Sequence, residues 1–218
     1  MMIGIYFMVF GFHFFRPTLA LTGFVFFAVM TWIGLTNNEP YFGYPHTDII
    51  YTCVSAGLGI IGAGMGMFFF SISIYLVGGL GGFYVAVWIL AWRSCLIITV
   101  KVAQICFIVG IGMVGAALVY LLETYILIAA TAFIGAYLFL FGLDFFAHTG
   151  MLNAWLLIFD DNPYHFNSYI IQQPVVVMLS FVIIFFLVSV VWQFFWNVKR
   201  HRRSFGVNVV ESKSSGKE

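Results

Sequence analysis

The sequence predicts an all-α integral membrane protein with seven transmembrane helices. Of its 218 residues, 63% are hydrophobic and only 8% are charged, whereas about a quarter of the residues in a soluble domain carry charge. The mean hydropathy is +1.06. Lipid must therefore be the solvent for most of the surface, and at about 20 residues per span the chain length accommodates six or seven helices.

Charged residues, prolines and polar clusters divide the chain into these spans. The stretch that follows Asp48 reaches Trp92 without another charge, which is too long for one helix, so we divide it near Ser71. The predicted spans are residues 2–15, 18–35, 48–70, 72–92, 100–122, 124–143 and 174–198. A connection of residues 144–173 precedes the last span, and residues 199–218 form a basic tail that we expect to be disordered.

Three parts of the sequence are similar to one another, which indicates an internal repeat. The similar segments are residues 14–23, 69–78 and, more weakly, 121–130. The third position of each copy interrupts the apolar pattern with Arg16, Ser71 or Glu123. We therefore predict three parallel helical hairpins, residues 1–35, 48–92 and 100–143, followed by the final span. Chance similarity between low-complexity apolar segments is the alternative.

Glycines recur along the third, fourth and fifth spans, and Gly78 and Gly82 have the GxxxG spacing. Small residues allow helix backbones to approach closely in lipid, where packing drives association. We predict that Gly23, Gly78 and Gly82 lie at helix–helix contacts within the chain. Glycine-lined permeation and dimerisation are the alternatives.

Ionisable residues near the spans are the candidates for chemistry. Asp144 and His148 are four residues apart and would share one face of a continuing helix, as a proton relay, a cation site or a tie to the following connection. Arg93 and Lys101 are eight residues apart and could also share a face. They would pair with Asp144 or Glu123, bind lipid head groups, or simply extend to the membrane interface.

The connection after the sixth span contains an apolar segment, Met151 to Phe159, that we expect to lie in the plane of the interface. The cluster Asp160 and Asp161 predicts a solvated turn. Elsewhere the sequence contains no HExxH, GxSxG or P-loop motif. We therefore expect no enzymatic activity, no cofactor and no metal site.

The basic residues at the end of the last span set the predicted orientation. They are Lys199, Arg200, Arg202 and Arg203. By the positive-inside rule the C-terminus is cytoplasmic, and seven spans place the N-terminus outside. Arg16 then falls on the cytoplasmic side, whereas Arg93 falls outside. The cluster would attract anionic lipid, and the net charge of +1 gives no sign of nucleic-acid binding.

Two segments carry a family resemblance. Residues 11–23 (GFHFFRPTLALTG) and 131–150 (TAFIGAYLFLFGLDFFAHTG) resemble the transmembrane protein 198-like family, and the glycine-rich residues 57–91 are also similar. A related membrane domain occurs in transmembrane 7 superfamily member 3. The resemblance implies seven spans without established enzymatic chemistry, and a Wnt-type signalling scaffold that promotes phosphorylation and clustering of a co-receptor. Asp144 matches the family's acid after the sixth span.

The first functional hypothesis is a non-enzymatic, multi-pass membrane protein that acts as a scaffold for other membrane proteins or for further copies of itself. A small channel or transporter is the second, and an accessory subunit of a larger membrane complex is the third. Pores and carriers need several converging polar groups deep in the spans. Most charges here fall at predicted span ends, which favours the hypotheses without transport.

The orientation gives the first testable prediction. A tag placed after Glu218 should resist external protease in intact cells, because the basic residues that precede it hold the tail in the cytoplasm. The measurement is tag cleavage with and without permeabilisation. Cleavage in intact cells would reverse the orientation and every assignment of sides.

Overall fold

The computed structural model describes residues 1–11 and 14–196, and every element of regular structure in this part of the chain is helical. The elements are α1 (Met2–Phe10), α2 (Phe15–Asn37), α3 (Thr47–Phe68), α4 (Phe70–Leu90), α5 (Lys101–Ala147), α6 (Met151–Phe159) and α7 (Gln173–Gln193). Five of them, α2 to α5 and α7, are long and apolar enough to cross a membrane.

Helix α5 would be about 70 Å long if it were straight, more than twice the thickness of the hydrocarbon core. Its backbone leaves the helical region at Leu122 (φ −135°, ψ 50°), one residue before the predicted break. The contacts with α4 are Gly78 with Gly115 and Gly82 with Ile111 in the first half of α5, and Gly81 with Ala130 and Trp88 with Phe133 in the second half. As the chain advances along α4, the contacted residue moves backward in the first half of α5, from Gly115 to Ile111. In the second half it moves forward, from Ala130 to Phe133. The two halves therefore run in opposite directions, and the chain folds back at Leu122.

A similar junction separates α3 from α4. Phe69 has φ −99° and ψ 53°, and it lies two residues before the predicted break at Ser71. The predicted hairpin packing of residues 48–92 is wrong, however. Helix α3 packs along α2, while α4 packs along α5, so α3 and α4 diverge from the junction that joins them.

Glycines explain both of these long helix contacts. A Cβ atom on Gly62 of α3 would lie 2.6 Å from the carbonyl oxygen of Gly23 on α2. Between α4 and α5, a Cβ on Gly78 would lie 2.6 Å from the Gly115 oxygen, and one on Gly82 would lie 2.5 Å from the Ile111 oxygen. Any side chain would force these backbones apart, so Gly23, Gly78 and Gly82 lie at helix–helix contacts.

Helix α1 makes a third glycine contact, with the second half of α5. A Cβ on Gly4 would lie 2.8 Å from the Gly135 oxygen, and one on Gly11 would lie 2.7 Å from Cβ of Thr131. Helix α7 packs against the same two helices. The first and last helices therefore meet on the second half of α5.

Polar side chains satisfy the carbonyl groups at the end of α1, which have no partner within that short helix. Gln193 of α7 donates from Nε2 to the Phe7 oxygen (2.8 Å), and Ser189 donates from Oγ to the Met8 oxygen (2.7 Å). Thr18 of α2 donates from Oγ1 to the Gly11 oxygen (2.7 Å). These bonds matter because lipid offers no water to unpaired backbone groups.

The apolar segment that was predicted to lie in the plane of the interface forms α6. Its apolar side faces the protein interior and buries Met151, Ala154, Trp155 and Ile158. The Trp155 ring lies 6.1 Å from the Tyr84 ring and 6.4 Å from the Tyr137 ring, between centroids. Helix α6 therefore covers one end of the bundle, with its apolar side packed against the interior.

The longer connections between helices, residues 38–46, 91–100 and 160–172, gather at that same end, which we call the loop end. Tyr169 donates its hydroxyl proton to the Ala91 oxygen (2.6 Å), and the Ile171 amide donates to Oγ of Ser94 (3.0 Å). The opposite end, which we call the turn end, holds the Leu122 kink and the end of α7. There the Tyr125 and Phe194 rings stack at 6.2 Å.

The close contacts predict a strong stability effect at two glycines. Replacing both Gly78 and Gly82 with Leu should lower the stability by at least about 2 kcal/mol, because the new side chains would collide with the α5 backbone. Thermal unfolding in detergent measures the effect.

A matched control is the double replacement of Gly57 and Gly64 with Leu. A Cβ on either of these glycines has nothing within 4 Å, so this variant should unfold close to the wild-type temperature. Equal losses in both double variants would contradict the packing assignment.

Candidate functional site

A polar network at the loop end surrounds Asp160, which follows α6 directly. The carboxylate is buried and accepts hydrogen bonds from the Asn162 amide (3.1 Å), His165 Nδ1 (2.8 Å) and Asn167 Nδ2 (2.7 Å). The predicted solvated turn is therefore wrong for Asp160, whereas Asp161 is exposed. Three donors replace water around the buried charge.

His165 extends the network to the connection between α2 and α3. Its Nε2 lies 3.7 Å from Oε2 of Glu39, and the same Glu39 oxygen accepts a hydrogen bond from the Tyr51 hydroxyl (2.6 Å). Sequence reasoning missed Glu39, Tyr51 and His165. They are distant in sequence, and no spacing pattern relates them.

Two asparagines fix the backbones on either side. Asn162 donates from Nδ2 to the carbonyl oxygens of Thr36 (3.1 Å) and Glu39 (2.8 Å). In the other direction, Asn37 donates to the Phe159 oxygen (2.8 Å). The end of α2 and the end of α6 are thereby joined by reciprocal hydrogen bonds.

Lys101 is the first residue of α5 and joins the network from the opposite side. Its Nζ donates to the carbonyl oxygens of Leu157 (2.9 Å) and Asp160 (3.2 Å) and lies 3.6 Å from Oδ1 of Asp161. The predicted shared helix face with Arg93 is wrong. Arg93 lies in the non-helical segment before α5, where it is exposed.

Asp144 connects the end of α5 to the start of α6. Its Oδ1 accepts hydrogen bonds from the amide and hydroxyl of Thr149, with the amide at 2.9 Å, and its Oδ2 accepts one from the Leu152 amide at 2.7 Å. Leu152 belongs to the first turn of α6, whose amide groups have no partner within the helix. The buried carboxylate thus acts as a cap for α6, which its negative charge also favours.

The predicted pairing of Asp144 with His148 is wrong. Helix α5 ends at Ala147, and His148 adopts the left-handed conformation (φ 51°), so the two side chains share no helix face. The His148 ring is exposed, with Nδ1 3.0 Å from the Phe146 oxygen. Of these two residues, it is Asp144 that ties the end of α5 to the connection that follows.

The other predicted residues lie away from the loop end. Arg16 is exposed in the first turn of α2, and Glu123 is half-buried next to the Leu122 kink, both at the turn end. The structure brings neither of them to Asp144 or Lys101. The basic residues Lys199, Arg200, Arg202 and Arg203 lie outside the described residues.

An apolar cavity of about 370 Å³ lies beneath the network, between α2, α4, the second half of α5 and α6. Aromatic rings line most of it, including Trp32, Tyr84, Tyr137 and Trp155. Tyr84 and Tyr137 pack with ring centroids 5.0 Å apart. The cavity below the loop end is therefore lined by aromatic side chains rather than by polar groups.

The model of the TM7S3/TM198-like domain family matches residues 1–194, which is nearly the whole chain. The chain belongs to the TM7S3/TM198-like family. This confirms the resemblance drawn from residues 11–23 and 131–150. Comparisons with curated proteins and with solved structures give no significant match.

In this TM7S3/TM198-like chain, a buried tyrosine holds the loop after α6 against α4. Burial raises the pKa of Tyr169 to about 12, and the negative charge of Asp144 adds to the rise. The hydroxyl therefore stays protonated at neutral pH and keeps its hydrogen bond to the Ala91 oxygen. The network is thus a set of structural ties between connections.

The capping role of Asp144 gives a stability prediction. Asp144→Ala should destabilise the protein by about 3 kcal/mol, because the hydrogen bonds from Thr149 and Leu152 to a buried charge are lost. Thermal unfolding in detergent measures the change.

His148→Ala is the matched control and should change the stability by no more than about 0.5 kcal/mol, because the ring is exposed. A larger effect at His148 than at Asp144 would restore the predicted pair.

Proposed function

We propose that this TM7S3/TM198-like protein is a non-enzymatic scaffold that organises other membrane proteins. The supporting observation is a set of glycines with open space beside them in the part of the chain that the structure describes. A Cβ on Gly57 or Gly64 of α3, or on Gly110 of α5, would have nothing within 4 Å. Small residues on exposed helix faces are typical of helix association in lipid. These positions would allow a helix of another protein, or of a second copy, to approach the bundle.

The distribution of charge favours a scaffold over a channel or transporter. Among the described residues, the charged side chains lie near the two ends of the bundle. The buried hydroxyl groups of Thr18, Ser189 and Thr131 bond to backbone carbonyls, so they offer few free polar atoms to a permeating ion. A pore needs several such groups along one path.

We further propose seven crossings arranged as three related units and a final helix. Helix α1, α2, α3, α4, the two halves of α5, and α7 supply the crossings. The backbone departs from helical geometry at Phe14, Phe69 and Leu122. Phe14 and Phe69 are the first positions of their similar sequence segments, and Leu122 is the second position of its segment. The glycine contacts are also related, because the first helix of each unit packs on the second helix of another.

The proposed orientation has the turn end in the cytoplasm and the loop end outside. The basic residues after α7 support it through the positive-inside rule. Met1 lies next to Gly142 near the end of α5, so the N-terminus shares the loop end. The family resemblance favours a signalling scaffold of the Wnt type, whose partner would be a membrane co-receptor. An accessory subunit of a larger membrane complex is an alternative to this proposal.

The test compares association in native membranes for two variants. Gly57→Leu with Gly64→Leu should reduce crosslinking to partner membrane proteins severalfold, because side chains now occupy the open face. Val188→Phe with Val191→Phe, at two exposed positions of α7, is the control that also enlarges two side chains, and it should crosslink normally.

Unchanged crosslinking by the double variant would contradict this face as the docking surface. An ion or solute flux in vesicles that contain only the purified protein would instead support the channel or transporter alternative.

A further inference from the structure

A groove runs along the membrane-facing side of the bundle, between α2, α4 and the first half of α5. Its volume is about 790 Å³, within the 300–1,000 Å³ of typical ligand sites. Apolar side chains such as Met30, Leu76, Ile105 and Met113 line nearly all of it. The groove is distinct from the cavity beneath the loop end.

Two glycines form part of its lining without being needed for close helix packing. A Cβ on Gly79 would lie 3.6 Å from the Gly112 oxygen, and one on Gly112 would lie 3.4 Å from the Gly79 oxygen. These are ordinary van der Waals distances, unlike those at Gly78 and Gly82. The missing side chains at Gly79 and Gly112 therefore leave depth in the groove rather than allow the helices to touch.

The length of the groove fits an extended hydrocarbon chain. Along α5 it reaches from Lys101 to Ala116, about 22 Å at the rise of an α-helix. Half of the hydrocarbon core is about 15 Å thick. One acyl chain that enters from the leaflet at the loop end would thus be accommodated along its length.

The polar end of the groove presents two opposite charges side by side. Lys101 Nζ is fixed by the Leu157 and Asp160 carbonyl oxygens, and its distance of 3.6 Å from Asp161 Oδ1 is longer than a direct charged hydrogen bond. The side chains of Lys101 and Asp161 are 33% and 74% exposed. Both charges are therefore accessible to a head group.

We propose that this groove binds a zwitterionic phospholipid with a primary ammonium group, phosphatidylethanolamine. One acyl chain lies along Gly79 and Gly112, the phosphate contacts Lys101, and the ammonium donates to the Asp161 carboxylate. A purely anionic head group would place its phosphate on Lys101 but would offer no cation of its own to the Asp161 carboxylate. A quaternary ammonium group has no proton to donate to that carboxylate.

The test uses the full chain in vesicles of equal parts phosphatidylethanolamine, phosphatidylcholine and phosphatidylglycerol with identical acyl chains. Native mass spectrometry then counts the lipids that each protein retains after detergent extraction. Wild type should retain phosphatidylethanolamine in preference to both others. Asp161→Asn should reduce that preference over phosphatidylglycerol about fivefold, as expected for a partly exposed charge contact.

Two further variants separate the chain from the head group. Met113→Trp fills the groove from an exposed lining position and should lower retention of all three lipids without changing their order. Val188→Trp on α7, equally exposed and outside the groove, should retain lipid as wild type does. Lys101→Gln should lower phospholipid retention, whereas Arg93→Gln, an exposed cation at the same end, should not.

Retention of the three lipids in equal amounts by wild type would overturn the proposal, as would a preference for phosphatidylglycerol. Unchanged retention by Met113→Trp would place the lipid elsewhere. None of these outcomes bears on partner crosslinking at Gly57 and Gly64, which lie on α3, so the lipid site and the scaffold function fail separately.

Discussion

The close approach of helix backbones at glycine is the constraint on which the rest of the structure depends. Lipid tails are as apolar as the side chains, so hydrophobicity does not hold one spanning helix against another. Contact area has to come from packing, and packing is closest where no side chain intervenes. The pairs α2 with α3, α4 with the first half of α5, and α1 with its second half all meet at such positions. Every other feature is arranged around these three contacts.

The loop end shows how polar groups are placed once the helices are packed. Asp160 and Asp144 are both buried there, and each accepts three hydrogen bonds. A buried carboxylate without such donors would cost several kcal/mol. Each of them joins segments that the glycine contacts leave unconnected. Helix α6 is held by Asp144 at its start and by the network at its end, and Trp155 completes the aromatic packing beneath it.

The sequence predicts the helices well because their signals are local. The Leu122 and Phe69 breaks fall within two residues of the predicted positions, since a charge or a polar residue interrupts the apolar pattern there. Which helices pack together is not local. Gly64 and Gly66 are two residues apart on α3, yet they differ in their surroundings. A Cβ on Gly66 would lie 2.5 Å from the carbonyl oxygen of Leu19 on α2, whereas one on Gly64 would have nothing within 4 Å. A glycine pattern indicates that one helix face is packed without identifying the partner.

The candidate site was harder to predict for the same reason. The expected pairing of Asp144 with His148 assumed that α5 continues, but the helix stops at Ala147, where His148 turns left-handed shortly before Gly150. The link between His165 and Glu39 joins two connections far apart in sequence. Such contacts exist only after the helices between them have packed. Sequence reasoning therefore found the right charged residue at Asp144 and missed its partners.

Helix α1 shows how backbone satisfaction and glycine packing depend on each other. Its nine residues extend only about 14 Å, and its last four carbonyl groups have no partner within the helix. Gln193 and Ser189 of α7 supply donors to those carbonyls, and they reach them only because Gly4 and Gly135 let α1 rest directly on α5. Oε1 of the same Gln193 lies 3.2 Å from Oγ1 of Thr131 on α5. A side chain at Gly4 would thus separate two helices and also leave buried backbone acceptors without their donors. Loss of the helix contact and loss of the hydrogen bonds would therefore occur together. This short helix is held by both the glycine contacts and the polar caps.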